Sequence, residues 1–172
     1  MFLNKLKAKS IVKQLDKVNS KRVPVTVGNK LKSLCIIEME EHKFDRKKLK
    51  KLTALLNVKE KDIVFRSFVK TKSKEDKENS VLFSPKDIGW RGMFKTPGLK
   101  ELSATNFDII ISYHTEDNVT LNAVSSLVKG KFKVGLGENA YQAHDLSLEV
   151  KVGETDIFLS ELEKYLKILK IL

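Results

Sequence analysis

The sequence predicts an α/β fold: a single three-layer domain with a mostly parallel, Rossmann-like sheet, preceded by a basic amphipathic helix. Three observations predict it. Short apolar runs with β-character alternate along the chain with amphipathic helical patterns, the order that builds a parallel sheet between helix layers through right-handed crossovers. One run, Phe107-Asp108-Ile109-Ile110-Ile111-Ser112-Tyr113, is nearly continuous in apolar character, as a strand covered on both faces must be. The stretch after it reads as helix then strand, a β-α-β unit of ordinary size.

The elements follow in order. Phe2, Leu3, Leu6, Ile11, Val12, Leu15 and Val18 recur at mostly three- and four-residue intervals with lysines between them, which predicts an amphipathic helix to about residue 20. Pro24 and Gly28 then mark a connector, and Ser33 to Met39 reads as the first strand. Asp45 is placed to cap a helix, with Phe44 stapling onto Leu49 and with Leu49, Leu52, Leu55 and Leu56 inward. Asp62 to Val69 is the second strand, Lys70 to Asn79 a charged loop, and Val81 to Phe83 a short third strand. Ser84 to Gly98 carries two prolines and three glycines among its turns, so it reads as a structured loop. Leu99 to Ala104 is a short helix leading into the central strand. Asp117 or Asn118 caps the next helix, Gly130 ends it, and Lys131 to Leu136 is the strand that follows. Leu146 to Val152 gives a last strand. Thr155 to Leu172 gives a last helix with Ile157, Phe158, Leu162, Tyr165, Leu166 and Leu169 on its apolar side. The expected organisation is a basic helical arm and connector over 1–32 and an α/β domain over 33–172.

Charge is distributed unevenly. Of the net +11, the first 32 residues hold +8: Lys5, Lys7, Lys9, Lys13, Lys17, Lys21, Arg22, Lys30 and Lys32 against the single Asp16. Clustered cations of this kind bind polyanions by releasing counterions, so the arm is expected to meet RNA or a ribonucleoprotein such as the ribosome, an acidic protein, or an anionic membrane surface. The plain alternative is that the apolar stripe packs on the domain while the lysines face water. Trp90 with Arg91, flanked by Lys86 and Lys95, adds a stacking ring beside cations; the favoured alternative there is a tryptophan that folds its own loop onto the core.

No apolar run reaches the roughly 20 residues of a membrane-spanning helix, and the N-terminal lysines interrupt any secretory apolar core, so a cytoplasmic location is expected. The single Cys35 excludes an internal disulfide and a cysteine-cluster metal site, and its apolar neighbours point to a buried thiol. Glu38, Glu40, Glu41 and His42 have metal-ligand types without ligand spacing, so a solvated strand end is the expected account and neither metal nor cofactor is expected.

Ligands of open α/β sheets bind beyond the carboxyl ends of the strands. Two loops fall there: His114, Thr115, Glu116, Asp117 and Asn118, able to hold an anion or serve acid-base roles, and Gly135-Leu136-Gly137-Glu138-Asn139, a phosphate-turn-like sequence without full fingerprint spacing. Helix capping and a simple turn are the favoured readings of the two. His144 and Asp145, with Tyr141 nearby, complete the titratable candidates. No serine lies in a nucleophile elbow, so the leading expectation is a binding or adaptor protein, with a nucleotide- or sugar-phosphate-binding domain, enzymatic or not, as the alternative.

Phe83-Ser84-Pro85-Lys86-Asp87-Ile88-Gly89-Trp90 with Pro97, Phe107-Asp108-Ile109-Ile110-Ile111, Lys131-Phe132-Lys133-Val134-Gly135 and Asp145-Leu146 together resemble an uncharacterised family of small α/β proteins typical of Bacteroidota, a domain of unknown function. The strand-helix-strand segment also resembles the N-terminal lobe of heptosyltransferase-type glycosyltransferases. The resemblance implies the fold and assigns no catalytic residue, since Ser112-Tyr113 stand where an acidic residue is expected.

Overall fold

The chain centres on β1 (Leu34–Met39), which pairs in parallel with β2 (Ile63–Phe68) on one side and β4 (Asn106–Tyr113) on the other, with Ile36 level with both Phe65 and Ile111. β3 (Leu82–Phe83) extends the sheet beyond β2, and β5 (Lys129–Leu136) and β6 (Leu146–Leu148) extend it beyond β4. The order is β3-β2-β1-β4-β5-β6 and every pairing is parallel. This is the doubly wound order, in which the direction of winding reverses between β1 and β4. The computed structural model describes residues 2–23, 31–115, 117–138 and 141–172. The connector residues Pro24, Gly28 and Lys30, and also Glu116 and Asn139, lie outside them.

Alternation along the strands divides the core. Leu34, Ile36, Ile109, Ile111 and Val134 face a layer formed by α2 (Leu49–Leu56) and α5 (Thr155–Ile168). Phe44, Tyr113 and Phe158 meet edge to face within it, and Asp156 ties α5 to Lys48 at 2.7 Å and Lys51 at 2.9 Å. Cys35, Ile37, Phe68 and Ile110 face the opposite layer, formed by α1 (Phe2–Asn19), α3 (Pro97–Ala104) and α4 (Val119–Leu127). Cys35 is fully buried and its thiol is pushed up to about 12 by burial, as an inert core sulfur should be.

Several details depart from the sequence expectation. Asp45 caps a 3-10 turn, Arg46–Lys48, by accepting from the Lys47 amide, and α2 starts only after it. α4 stops at Leu127, because Val128 turns extended and feeds directly into β5; Gly130 therefore lies in a strand, level with Phe107. β6 stops at Leu148, although Val150 still reaches the core beyond it. In α5 the buried stripe is Phe158, Leu159, Leu162 and Leu166, which leaves Ile157 52% exposed, and Leu169, just past the end of the helix, is 48% exposed. The acidic run that begins inside β1 at Glu38 is also divided. Glu38 is buried and accepts from the Phe44 amide, the Ser67 hydroxyl and the Arg46 guanidinium, which lies 3.7 Å from the Phe65 ring centroid. A buried carboxylate has to be paired in this way, so Glu38 organises the β1–α2 loop, and only its neighbours Glu41 and His42 are exposed.

α1 is packed onto the domain through Ile11 and Leu15, both buried in the layer it shares with α4. Leu15→Ala is therefore expected to lower the stability of the whole protein by about 2–4 kcal/mol in urea denaturation, with one cooperative transition, whereas Lys9→Ala stays within about 0.5 kcal/mol.

Candidate functional site

Lys5, Lys9, Lys13, Lys17 and Lys21 recur at every fourth position and all are exposed. Four residues advance a helix by about 6 Å and slightly more than one turn, so the row drifts slowly around α1. The opposite face is fixed to the domain. Asn19 donates through Nδ2 to the Ser126 hydroxyl at 3.0 Å and to the Tyr141 carbonyl at 2.7 Å. Arg22 does not join the exposed row. Its guanidinium pairs with Asp145 at 2.5 Å and donates to the carbonyls of Gly130 and Lys131 at 3.1 Å, with only 14% of the side chain exposed. Lys7 also leaves the row, donating to the Pro85 carbonyl at 2.9 Å.

The Ser84–Gly98 loop supplies the rest of this surface. Ser84 and Asp87 form a capping box around the turn Pro85–Asp87, and Ile88 and Phe94 bridge to each other and plug the core. Those two residues, and not the tryptophan, anchor the loop; Trp90 is 50% exposed. Arg91 adopts a left-handed backbone (φ 55°, ψ 25°), an uncommon state for a residue with a Cβ, and its amide donates to the Ser10 hydroxyl of α1 at 3.1 Å. Gly92 follows at φ 77°, where a Cβ would fall 2.4 Å from Leu127 of α4. The loop is thus held between two helices, and Arg91 lines a concavity of about 640 Å³ together with Lys13 and Lys17. The sequence pointed separately to the lysines and to Trp90-Arg91. Ser10, the residue that joins them, carried no signal beyond its place on the helix.

The carboxyl edge of β4 and β5 brings the remaining candidates together. Asn118 caps α4 by accepting from the Thr120 and Leu121 amides. His114, Asp117, Gly137, Glu138 and His144 line a cavity of about 210 Å³. Gly135 lies inside β5, where an added Cβ would fall 2.1 Å from Nδ1 of His144, so its role is to admit that ring. Gly137, at φ 63°, makes the turn out of the strand and donates to the Leu148 carbonyl at 2.9 Å. Beneath the histidines, Lys133 is buried and donates to the Ser125 and Ser126 carbonyls at 2.8 and 2.9 Å. Burial, and then the charge of Arg22, pull its amine down to about 7 against the opposing pull of Asp145. His144 is lowered to about 3 by burial and by the charges of His114, Lys133 and Arg22. Lys133 was read from sequence only as part of a strand, because nothing in an alternating Lys-Phe-Lys-Val pattern says which lysine turns inward.

Among the described residues no group of three or more His, Cys, Asp or Glu side chains is arranged to hold a metal ion, and no helix is long and apolar enough to cross a membrane. The chain belongs to DUF6913, a family of unknown function whose profile matches residues 4–169, from the first turn of α1 to the end of α5. No curated protein and no solved structure matches it.

The lowered His144 gives a pH signature. The unfolded chain takes up this proton near pH 6.5 and the folded one only near 3, so the folded state loses stability as pH falls through that window, by up to about 1.4 kcal/mol per pH unit. Urea denaturation at pH 7 and pH 4.5 is expected to show a smaller acid loss in His144→Asn than in the natural chain, whatever the variant's stability at pH 7.

Proposed function

We propose that this DUF6913 protein is a non-enzymatic RNA-binding protein of the cytoplasm that docks on single-stranded RNA, in a ribonucleoprotein such as the ribosome, through the outer face of α1 and the Trp90-Arg91 turn. The observation that carries the reading is the concavity that Arg91 lines with Lys13 and Lys17, its backbone tied to Ser10 of α1, with a half-exposed indole next to it in the chain. Cations that track a phosphate backbone, beside an aromatic face that stacks a base, are the two parts of a sequence-tolerant single-strand site. Ser10 and Gly92 hold this arrangement before any ligand arrives, which lowers the ordering cost of binding. The glycosyltransferase-type likeness adds no reacting group: Ser112 donates to the Ser125 hydroxyl and Tyr113 pairs with Thr155, both deep in the core.

One observation favours a second reading. Phe2 and Leu3 are 73% and 68% exposed at the start of the lysine-bearing helix, as in helices that insert an apolar end into an anionic lipid surface.

Deleting the arm would remove Leu15 from the core, so charge-neutralising substitutions on the outer face are the sharper test. Lys13→Gln/Lys17→Gln/Arg91→Gln is expected to weaken binding of a single-stranded RNA oligonucleotide by about tenfold or more, and to flatten its salt dependence by about 0.7 per lost phosphate contact. Trp90→Ala is expected to cost about 1–3 kcal/mol with the salt slope unchanged. Unchanged RNA affinity in the triple variant refutes the reading. Sedimentation with anionic vesicles that Phe2→Ser/Leu3→Ser abolishes, without any RNA binding, selects the membrane reading instead.

A further inference from the structure

A second cationic concavity lies away from the Arg91 groove. It measures about 400 Å³, within the range of small-molecule sites, and sits where ligands of open α/β sheets bind, beyond the carboxyl ends of β2 and β3. Lys7 reaches it from α1, Lys70 from the segment after β2 and Lys86 from the turn after β3; Ile11 and Val119 give it apolar wall. These three lysines come from parts of the chain far apart in sequence. Hydrogen bonding to the Pro85 carbonyl fixes the Lys7 ammonium, and burial, followed by the charge of Lys95, lowers its proton affinity. Asp87 is already paired with Lys72 at 3.1 Å, and Glu41 stands 3.7 Å from Lys70 in an exposed pair.

A cavity further along the same sheet edge has the opposite character, being lined by Asp117 and Glu138 beside a neutral His144. An anion arriving at this edge is repelled by that side and drawn to the lysine side. We propose that the Lys7-Lys70-Lys86 cavity binds a phosphomonoester, either the phosphate of a free nucleotide or the terminal phosphate of an RNA strand. A terminal phosphate carries about −1.5 to −2 charge near neutrality and three acceptor oxygens, which match three ammonium groups; an internal phosphodiester carries a single charge. The first turn of α4, at Val119 and Thr120, adds the positive end of a helix dipole to the wall.

The test uses the full-length protein with four probes: AMP, adenosine, and one short RNA oligonucleotide with either a 5′-phosphate or a 5′-hydroxyl. Binding is read by titration calorimetry for the natural chain, for Lys70→Gln/Lys86→Gln, and for Lys7→Gln. Lys70 and Lys86 are exposed, so the double variant leaves the fold intact, and its circular dichroism melting curve verifies this. The expected result is that AMP outbinds adenosine at least tenfold, or the phosphorylated RNA outbinds its hydroxyl form at least threefold, and that the double variant erases the difference. Discrimination by AMP alone assigns the site to free nucleotides, and by the oligonucleotide alone to RNA ends. No discrimination in the natural chain, or discrimination that survives both variants, overturns the proposal. Lys13→Gln/Lys17→Gln/Arg91→Gln should leave the discrimination in place, and binding of the hydroxyl RNA reports on the α1 groove independently, so the two readings fail separately.

Discussion

The ion pair between Arg22 and Asp145 is the constraint on which the placement of everything else around α1 depends. Asp145 is bound into the sheet by its main chain and side chain together: its amide donates to the Lys133 carbonyl and its carboxylate accepts from the Lys133 amide at 2.8 Å. Arg22 grips this carboxylate and two β5 carbonyls at once, from the residues that follow α1. A planar fork with several fixed donors is what such a junction requires, and a lysine could not fill it. With the end of α1 fixed there, and Asn19 fixed to Ser126 and Tyr141, the helix has one rotation available. That rotation turns Ile11 and Leu15 inward and the lysine row outward.

The same junction explains the buried amine beneath it. Arg22 takes the near side of Asp145, so the Lys133 ammonium turns to the Ser125 and Ser126 carbonyls, at the end of α4 where unpaired carbonyls and the helix dipole favour a cation. Those contacts do not restore the hydration lost on burial, and the amine therefore loses its proton far more easily than an exposed lysine. The rings of His114 and His144 sit near this charge, and His144 is held neutral in part because Arg22 and Lys133 stand beside it. One ion pair thus sets the pose of the basic helix and places the Arg22 charge beside a His144 that burial, above all, already keeps neutral.

The sheet was legible in the sequence because its strands carry their own signals. Ile109-Ile110-Ile111 and Cys35-Ile36-Ile37 are apolar on both parities, and strands buried on both faces have to be. Asp117 or Asn118 announced a cap, and Asn118 provides it. Gly130 misled because a glycine after a helical pattern reads as a terminator, whereas here it opens β5 beside Ile110. Glu38 misled because carboxylates near one another suggest solvent, and its partners Arg46, Phe44 and Ser67 become neighbours only when the β1–α2 loop closes and β2 pairs with β1. The candidate surface was half legible for the same reason. Clustered charge is visible in one dimension, but the meeting of Arg91 with Lys13 and Lys17 depends on Ser10 and on packing against Leu127.

The lysine row is itself a physical argument about use. Like charges four residues apart on a helix repel, and here Lys5, Lys9, Lys13 and Lys17 form three such pairs in succession along α1, with Lys21 just beyond its end and Asp16 the only acid on the helix. Asp16, three residues after Lys13, is the one acid within reach of the row, no ion pair within the helix forms among the described residues, and α1 has no acidic residue in its first turn to balance its dipole. A helix of this composition is poorly stable alone and is held by its packing on α4 and the Trp90 turn. A surface arranged only for solubility would intersperse charges of both signs and avoid this repulsion. Retaining an unrelieved row, and holding it rigidly with buried contacts, fits a surface whose counter-charges come from another molecule.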